Sequence, residues 1–289
     1  MEYLFFQGSS AALSAVEIYN YFLRTGISAT YDTSLLPKIL IVKTSDLLDC
    51  KQIISQLGGT PIIAKIIAKV ENLDADEVIE KTDITELFEP GKKPILGISF
   101  DNLSQDKPEF STAKDLRVLA MKIKKTLGLK GLRMVLPQSG TSLSSAQIFN
   151  SQISTKAVGI NLVQISRNNF LLAKIEAVQD IDFYTRRDRE RPAADPGKGM
   201  IPVKLAQIFI NLSQVLPNTV IFDPFCGAGT IVAEALLMNF DVVASDISPK
   251  QVERTKQNIE WLSKTFPENF PKDREIKLFE HDIEKTLPE

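Results

Sequence analysis

The spacing of hydrophobic and polar positions along the chain switches between a period of two and a period near 3.6, and each switch predicts an element. Residues 3–7 alternate and predict a strand, while residues 10–24, carrying Val16, Ile18, Tyr19 and Phe22, predict a helix. Stretches 27–32 and 38–44 are rich in β-branched residues and predict strands. A helix over 46–57, the breaker Gly58-Gly59 and a strand over 60–70 follow. That β-α-β-β-α-β order predicts a ferredoxin-like module. The opening Met-Glu-Tyr-Leu-Phe-Phe-Gln-Gly has the look of a protease-site scar, but its alternation and the helix directly after it mark a native first strand.

A polar helix near 74–87 and the turn Glu89-Pro90-Gly91 form a connector. Beyond it the pattern predicts strand 94–100, helix 113–127, strand 132–136, helix 142–151 and a strand pair 158–165 and 169–178. The pair is joined by Arg167-Asn168-Asn169, a turn that tolerates positive φ. Residues 180–200 are polar and arginine-rich, and a helix over 202–215 opens a third unit with strands near 219–223, 240–245 and 275–280. The divisions expected are an N-terminal ferredoxin-like domain over 1–90, a second domain over 91–179, a linker over 180–199 and an α/β domain over 200–289.

Helix 113–127 adds a charge pattern to the apolar one. Leu116, Leu119, Ala120, Ile123 and Leu127 make a core stripe. Lys114, Arg117, Lys122, Lys124 and Lys125 take the other face, and Lys130 and Arg133 follow, with Asp115 the one acid across 114–133. The net charge of the chain is only −2, so a nucleic-acid surface has to be local, and this face suits a phosphate backbone. A merely solvated lysine face fits the same residues.

With 289 residues, 44% hydrophobic and 24% charged, the chain has the material for two or three cored domains. Its two cysteines, Cys50 and Cys226, have no metal-ligand spacing, which fits a reducing compartment. No stretch approaches the roughly 18 uninterrupted apolar residues of a membrane span. The lone His281 reads as a neighbour of an acid or a surface residue rather than a metal ligand.

The chemistry concentrates in Ile221-Phe-Asp-Pro-Phe-Cys-Gly-Ala-Gly-Thr-Ile-Val232, an apolar strand running into a glycine turn and then a helix. Gly227 and Gly229 allow close backbone approach to a ligand, and the helix start directs free N–H groups at the same place. Asp246 ends the next strand, 17 residues beyond Gly229, where a carboxylate can hold two ribose hydroxyls. Val232 stands where a dinucleotide fingerprint needs its third glycine, and no Gly-Lys-Ser/Thr of a P-loop is present. Asp223 and Phe225, just before the turn, offer an acid to a cationic ammonium. Some other α/β protein with a glycine-containing strand-to-helix turn is the bland alternative.

The run Asp223-Pro-Phe-x-Gly-x-Gly-Thr230 resembles motif I of S-adenosylmethionine methyltransferases acting on exocyclic amines of RNA or DNA bases. Gly97-Ile98-Ser99, the basic helix, Ser142-Leu143-Ser144-Ser145 and Ala177-Val178-Gln179-Asp180 resemble a THUMP domain joined to its methyltransferase. Tyr184-Thr-Arg-Arg-Asp-Arg-Glu-Arg-Pro192 and Gly199-Met-Ile-Pro-Val-Lys-Leu-Ala-Gln-Ile208 resemble the linker and motif X of the tRNA guanosine-10 N2-methyltransferase family. The resemblance implies an α/β and α+β chain: a ferredoxin-like module, a THUMP domain over 91–179 and the first half of a Rossmann-like methyltransferase domain. It further implies S-adenosylmethionine as cofactor, tRNA as partner, a cytoplasmic setting and no metal or membrane. Met200 and Pro202 would line the cofactor cleft, Asp246 and Ile247 hold the ribose side, and Asp282 and Ile283 hold the adenine side. Pro202 also suits an ordinary helix start. Phosphates would meet Lys114, Arg117, Lys124, Lys125, Arg186 and Arg187.

One departure stands out: the family's Asp/Asn-Pro-Pro-aromatic motif is absent from the sequence, which is expected to be a C-terminally incomplete methyltransferase. That motif accepts hydrogen bonds from the N–H groups of a poorly nucleophilic amine, freeing its lone pair, and stacks on a flipped base, so the catalytic residues are unknown here. Asp195, in Ala-Ala-Asp-Pro, is expected to be a loop turn. A DNA adenine-N6 or cytosine-N4 methyltransferase and a non-catalytic tRNA-binding protein remain as rival readings.

Overall fold

The structure is a computed structural model and describes residues 1–194, 200–216 and 219–285. The chain divides into two compact units. The first is Met1–Ala11, Ser28–Ser55 and Thr60–Gln179; the second is Ala12–Ile27, Gln56–Gly59 and Asp180–Glu289.

The first unit is built on one eight-stranded sheet. Its strands are β1 (Glu2–Phe6), β2 (Thr30–Asp32), β3 (Ile39–Lys43), β4 (Ile62–Val70), β5 (Ile95–Asn102), β6 (Arg133–Val135), β7 (Val158–Ser166) and β8 (Asn169–Val178), in the order β2-β3-β1-β4-β8-β7-β5-β6. The order β2-β3-β1-β4, all antiparallel, is that of a ferredoxin-like module. β1 lies in its interior with Tyr3, Leu4 and Phe5 buried, so the opening residues are part of the fold. β4 pairs antiparallel with β8 from Ile62↔Val178 to Val70↔Phe170. The two modules expected over 1–90 and 91–179 therefore share a single sheet.

Alternation along the strands gives that sheet two cores. Phe170 and Leu172 point to one face, where α4 (Ala113–Leu127) packs Leu116, Leu119, Ala120 and Ile123 against Leu96, Ile98 and Phe100. Leu171, Ala173 and Ile175 point to the other, with Leu143, Ile148 and Ile153. α4 spans the predicted 113–127, because Thr112 and Asp115 form a capping box at its start and Gly128 ends it in the left-handed region at φ 59°. Asp115 is thus a capping residue within the basic segment. The turn between β7 and β8 is Arg167-Asn168, with Ser166 opposite Asn169, and neither residue adopts positive φ.

The second unit contains α1 (Ala11–Thr25) from Ala12 onward, and here the predicted helix faces differently. Ile18 and Phe22 are buried as expected, but Val16 and Tyr19 are each 49% exposed while Glu17 is fully buried. Glu17 accepts from Gly58 N, Gly59 N and Asn211 Nδ2 at 2.8–2.9 Å, and these bonds draw a polar residue inward. α2 (Cys50–Ser55) and α3 (Ala75–Thr82) belong to the first unit, as does α5 (Ser145–Asn150).

The expected linker contains a helix, α6 (Ile181–Arg189), capped by the Asp180 carboxylate on Phe183 N. α7 (Val203–Leu212) follows, then β9 (Val220–Asp223), α8 (Thr230–Leu237), β10 (Asp241–Asp246), α9 (Pro249–Thr265) and β11 (Ile276–Glu280). The strands are parallel in the order β11-β10-β9, the arrangement produced by βαβ crossovers. Val232, Ala235, Leu236, Val242, Ala244 and Ile259 form the core between this sheet and its helices. Asp195 and Gly199 lie outside the described residues.

Candidate cofactor cleft

β9 delivers Asp223 to the carboxyl end of its strand beside Ala244 of β10, and β10 ends two residues later at Asp246. In parallel sheets this edge is where ligands bind, because the loops between strand ends and helix starts open there. A cleft of about 350 Å³ lies at that edge, lined by Met200, Asp223, Phe225, Gly227, Asp246 and Ile247, together with Ile201, Cys226, Ala228, Thr230, Ile231, Ser248 and Gln251.

The turn from Pro224 to Gly229 is tied down on several sides. Cys226 N donates to Ser245 O at 2.9 Å, Gly229 N donates to Cys226 O at 2.7 Å, and Gly227 N donates to Asp246 Oδ2 at 3.0 Å. Asp246 Oδ1 accepts from Ser248 N at 2.9 Å. The two glycines answer different needs. Gly227 has φ +53°, and a Cβ there would meet only Phe225 O at an uncrowded 4.0 Å, so its requirement is conformational. Gly229 has φ +80°, and a Cβ there would sit 2.7 Å from Thr255 Cγ2, so it is also required by packing. The clash expected from a side chain at the turn is therefore with α9, and only at Gly229.

Asp223 is 8% exposed, and burial raises its carboxyl above the ordinary range. The bond it accepts from Phe225 N at 3.1 Å opposes that shift, and neighbouring Asp246 adds to it. A cation placed between the two carboxylates would relieve both effects. Cys226 is buried, with its thiol pushed up to about 11, so it is a packing residue rather than a nucleophile. Phe225 is 71% exposed and presents its ring at the mouth.

Four expected contacts fall outside the cleft lining: Pro202, Gly229, Asp282 and Ile283. Pro202 is the residue before α7 and makes no side-chain cap. Asp282 follows His281, whose N donates to Asp246 O at 3.0 Å; its carboxylate accepts from Glu284 N and pairs with Lys285 at 3.5 Å. Gly229 adjoins the lining through Thr230. Unforeseen members are Ser248 and Gln251; the signal for them was the Ser-Pro helix start directly after Asp246.

The expected phosphate contacts separate into two kinds. Lys114, Arg117, Lys122, Lys124 and Lys125 all stand exposed on α4, interrupted by exposed Val118 and Met121. Arg186 is half-exposed, pairs with Glu190 at 3.1 Å and stacks 4.5 Å from the Phe266 ring. Arg187 is the correction: it is 4% exposed and pairs with fully buried Glu234 at 2.9 Å, under the rings of Phe183 and Tyr184. A guanidinium held there is unavailable to a phosphate. Among the described residues no group of three or more His, Cys, Asp or Glu is placed to hold a metal ion, and no helix is long and apolar enough to cross a membrane.

Comparison with known proteins gives a consistent picture. The tRNA (guanine(10)-N2)-dimethyltransferase of Methanothermobacter thermautotrophicus is 31% identical over 161 residues, covering 55% of this chain and 47% of the relative. The enzyme of the same name from Methanocaldococcus jannaschii is 28% identical over 160 residues, covering 54% and 44%. The chain spans about half the length of the curated relatives it matches. Among solved structures, TrmN from Thermus thermophilus superposes with a TM-score of 0.55 at 14% identity, over 98% of this chain and 74% of that one, which shows a shared fold. Residues 189–282, which hold the glycine turn, both strand-end carboxylates and the cleft between them, match the family model described as UPF0020, RMKL-like, methyltransferase domain.

Proposed function

We propose that the cleft binds S-adenosylmethionine and that the protein methylates an exocyclic amine in RNA, guanosine N2 at position 10 of tRNA. The observation that carries this is the meeting of Asp223, the glycine turn and Asp246 in one cleft of a methyltransferase domain. The names of the archaeal relatives support the substrate, and the structure of SMU.472 complexed with SAH, at a TM-score of 0.51, supports the cofactor.

The residues suit that guest. Each Asp246 oxygen already accepts one backbone N–H, and each retains a lone pair for a ribose hydroxyl. Asp223 faces the cationic amino-acid end, and the free N–H groups at the start of α8 face its carboxylate. When bound, S-adenosylmethionine supplies an electrophilic methyl on its sulfonium. The exposed cations of α4 in the first unit are assigned to tRNA phosphates. The Asp/Asn-Pro-Pro-aromatic run that would accept from the target amine is not in the sequence, so these residues by themselves are expected to bind both partners without transferring the methyl.

The test is calorimetric titration with S-adenosylhomocysteine, with mobility-shift titrations of undermodified tRNA and duplex DNA. Saturable cofactor binding with preference for tRNA supports the proposal. Preference for duplex DNA favours the DNA-methyltransferase reading, and tRNA binding without cofactor binding favours a non-catalytic tRNA-binding protein.

A further inference from the structure

The inward face of α9 carries a polar stripe: Gln251, Thr255 and Asn258 recur at i, i+4 and i+7 and are all buried. Two of them grip the glycine turn from behind. Thr255 Oγ1 donates to Gly227 O at 2.9 Å, and Asn258 Nδ2 donates to Ala228 O at 2.8 Å. Asn258 also accepts from Ala193 N at 3.0 Å, so its own amide is held in one orientation.

Two successive carbonyls of the turn are thereby directed at α9. A trans peptide is planar, with its N–H opposite its C=O. Fixing Gly227 O on Thr255 therefore sends the Ala228 N–H the other way. Ala228 lines the cleft and Thr255 does not. The flanking N–H groups are engaged, Gly227 N on Asp246 and Gly229 N on Cys226 O, whereas the Ala228 N–H has no acceptor among the described residues.

We infer that Thr255 is a positioning residue: by holding Gly227 O it aims the Ala228 N–H at the carboxylate of the cofactor's amino-acid end. The inference rests on the reading of the cleft as an S-adenosylmethionine site. It predicts a loss confined to ligands that carry the amino acid.

The experiment compares two ligands by calorimetry, S-adenosylhomocysteine and methylthioadenosine, which keeps the nucleoside but lacks the amino acid. Thr255→Val, which removes the hydroxyl at nearly constant volume, should weaken S-adenosylhomocysteine roughly three- to tenfold and leave methylthioadenosine unchanged. Thr255→Ser should restore the wild-type ratio. If the valine variant does not fold, Thr255→Ala carries the same comparison. Equal weakening of both ligands, or of neither, overturns the positioning role. A wild-type protein that binds neither ligand instead overturns the cofactor reading itself.

Discussion

Gly227 and Asp246 are joined by a hydrogen bond of 3.0 Å from the main-chain N–H of the first to Oδ2 of the second, so the acid proposed to hold the ribose also holds the turn. Asp246→Ala removes both functions. Affinity for S-adenosylhomocysteine should fall by roughly 1–3 kcal/mol, the scale for hydrogen bonds to a charged group. Asp246→Asn keeps one acceptor oxygen and should lose less. Calorimetry in which the two variants match the wild type would remove Asp246 from the site.

The two glycines should respond unequally to alanine. Gly227→Ala meets only the left-handed backbone, at about 1–2 kcal/mol, since nothing crowds its Cβ position. Gly229→Ala adds the contact with Thr255 and should cost roughly 1–3 kcal/mol more. Denaturant unfolding of both variants checks the order, and a more damaging Gly227→Ala would contradict the geometry.

Arg187 and the cations of α4 should separate cleanly in two assays. Arg187→Ala strands the Glu234 carboxylate in the interior and should destabilise by roughly 3–5 kcal/mol. Lys124→Gln and Lys125→Gln should leave stability nearly unchanged, but each should lower the salt slope of tRNA binding by about one. Stability is read by denaturant titration and the slope by binding at a series of salt concentrations. An unchanged slope would return α4 to a solvated lysine face.

Glu17 predicts a pH dependence. Burial raises its carboxyl to about 7, against the three N–H donors that favour its charged form. The folded state therefore holds the proton more tightly than the unfolded chain. The stability this gives is complete below about pH 4.5 and is lost as pH rises towards 7 and above. Relative to Glu17→Gln, the wild type should lose up to roughly 3 kcal/mol across that interval. Urea unfolding at several pH values tests it, and parallel profiles for the two proteins would refute it.

The strands, α4 and the cleft-forming turn were legible because each is a local property. Short apolar runs set β1 and β8, whose successive residues are buried on both faces, the stripe Leu116, Leu119, Ala120 and Ile123 sets α4, and two glycines before a helix set the turn that lines the cleft with Asp246. What the tertiary structure decided are the positions where a polar side chain turns inward to meet a partner distant in the chain. Glu17 meets Asn211, Arg187 meets Glu234, and Thr255 and Asn258 meet the turn carbonyls of Gly227 and Ala228. A charged or polar residue at helical spacing reads as a solvated face, because sequence records the desolvation cost of burying it but not the partner that offsets that cost. The same blindness made a linker of α6, whose inward face is Tyr184 and a paired arginine. It also left unforeseen that β4 and β8 would join two modules into one sheet, since pairing between strands so far apart depends on backbone groups that every residue carries alike.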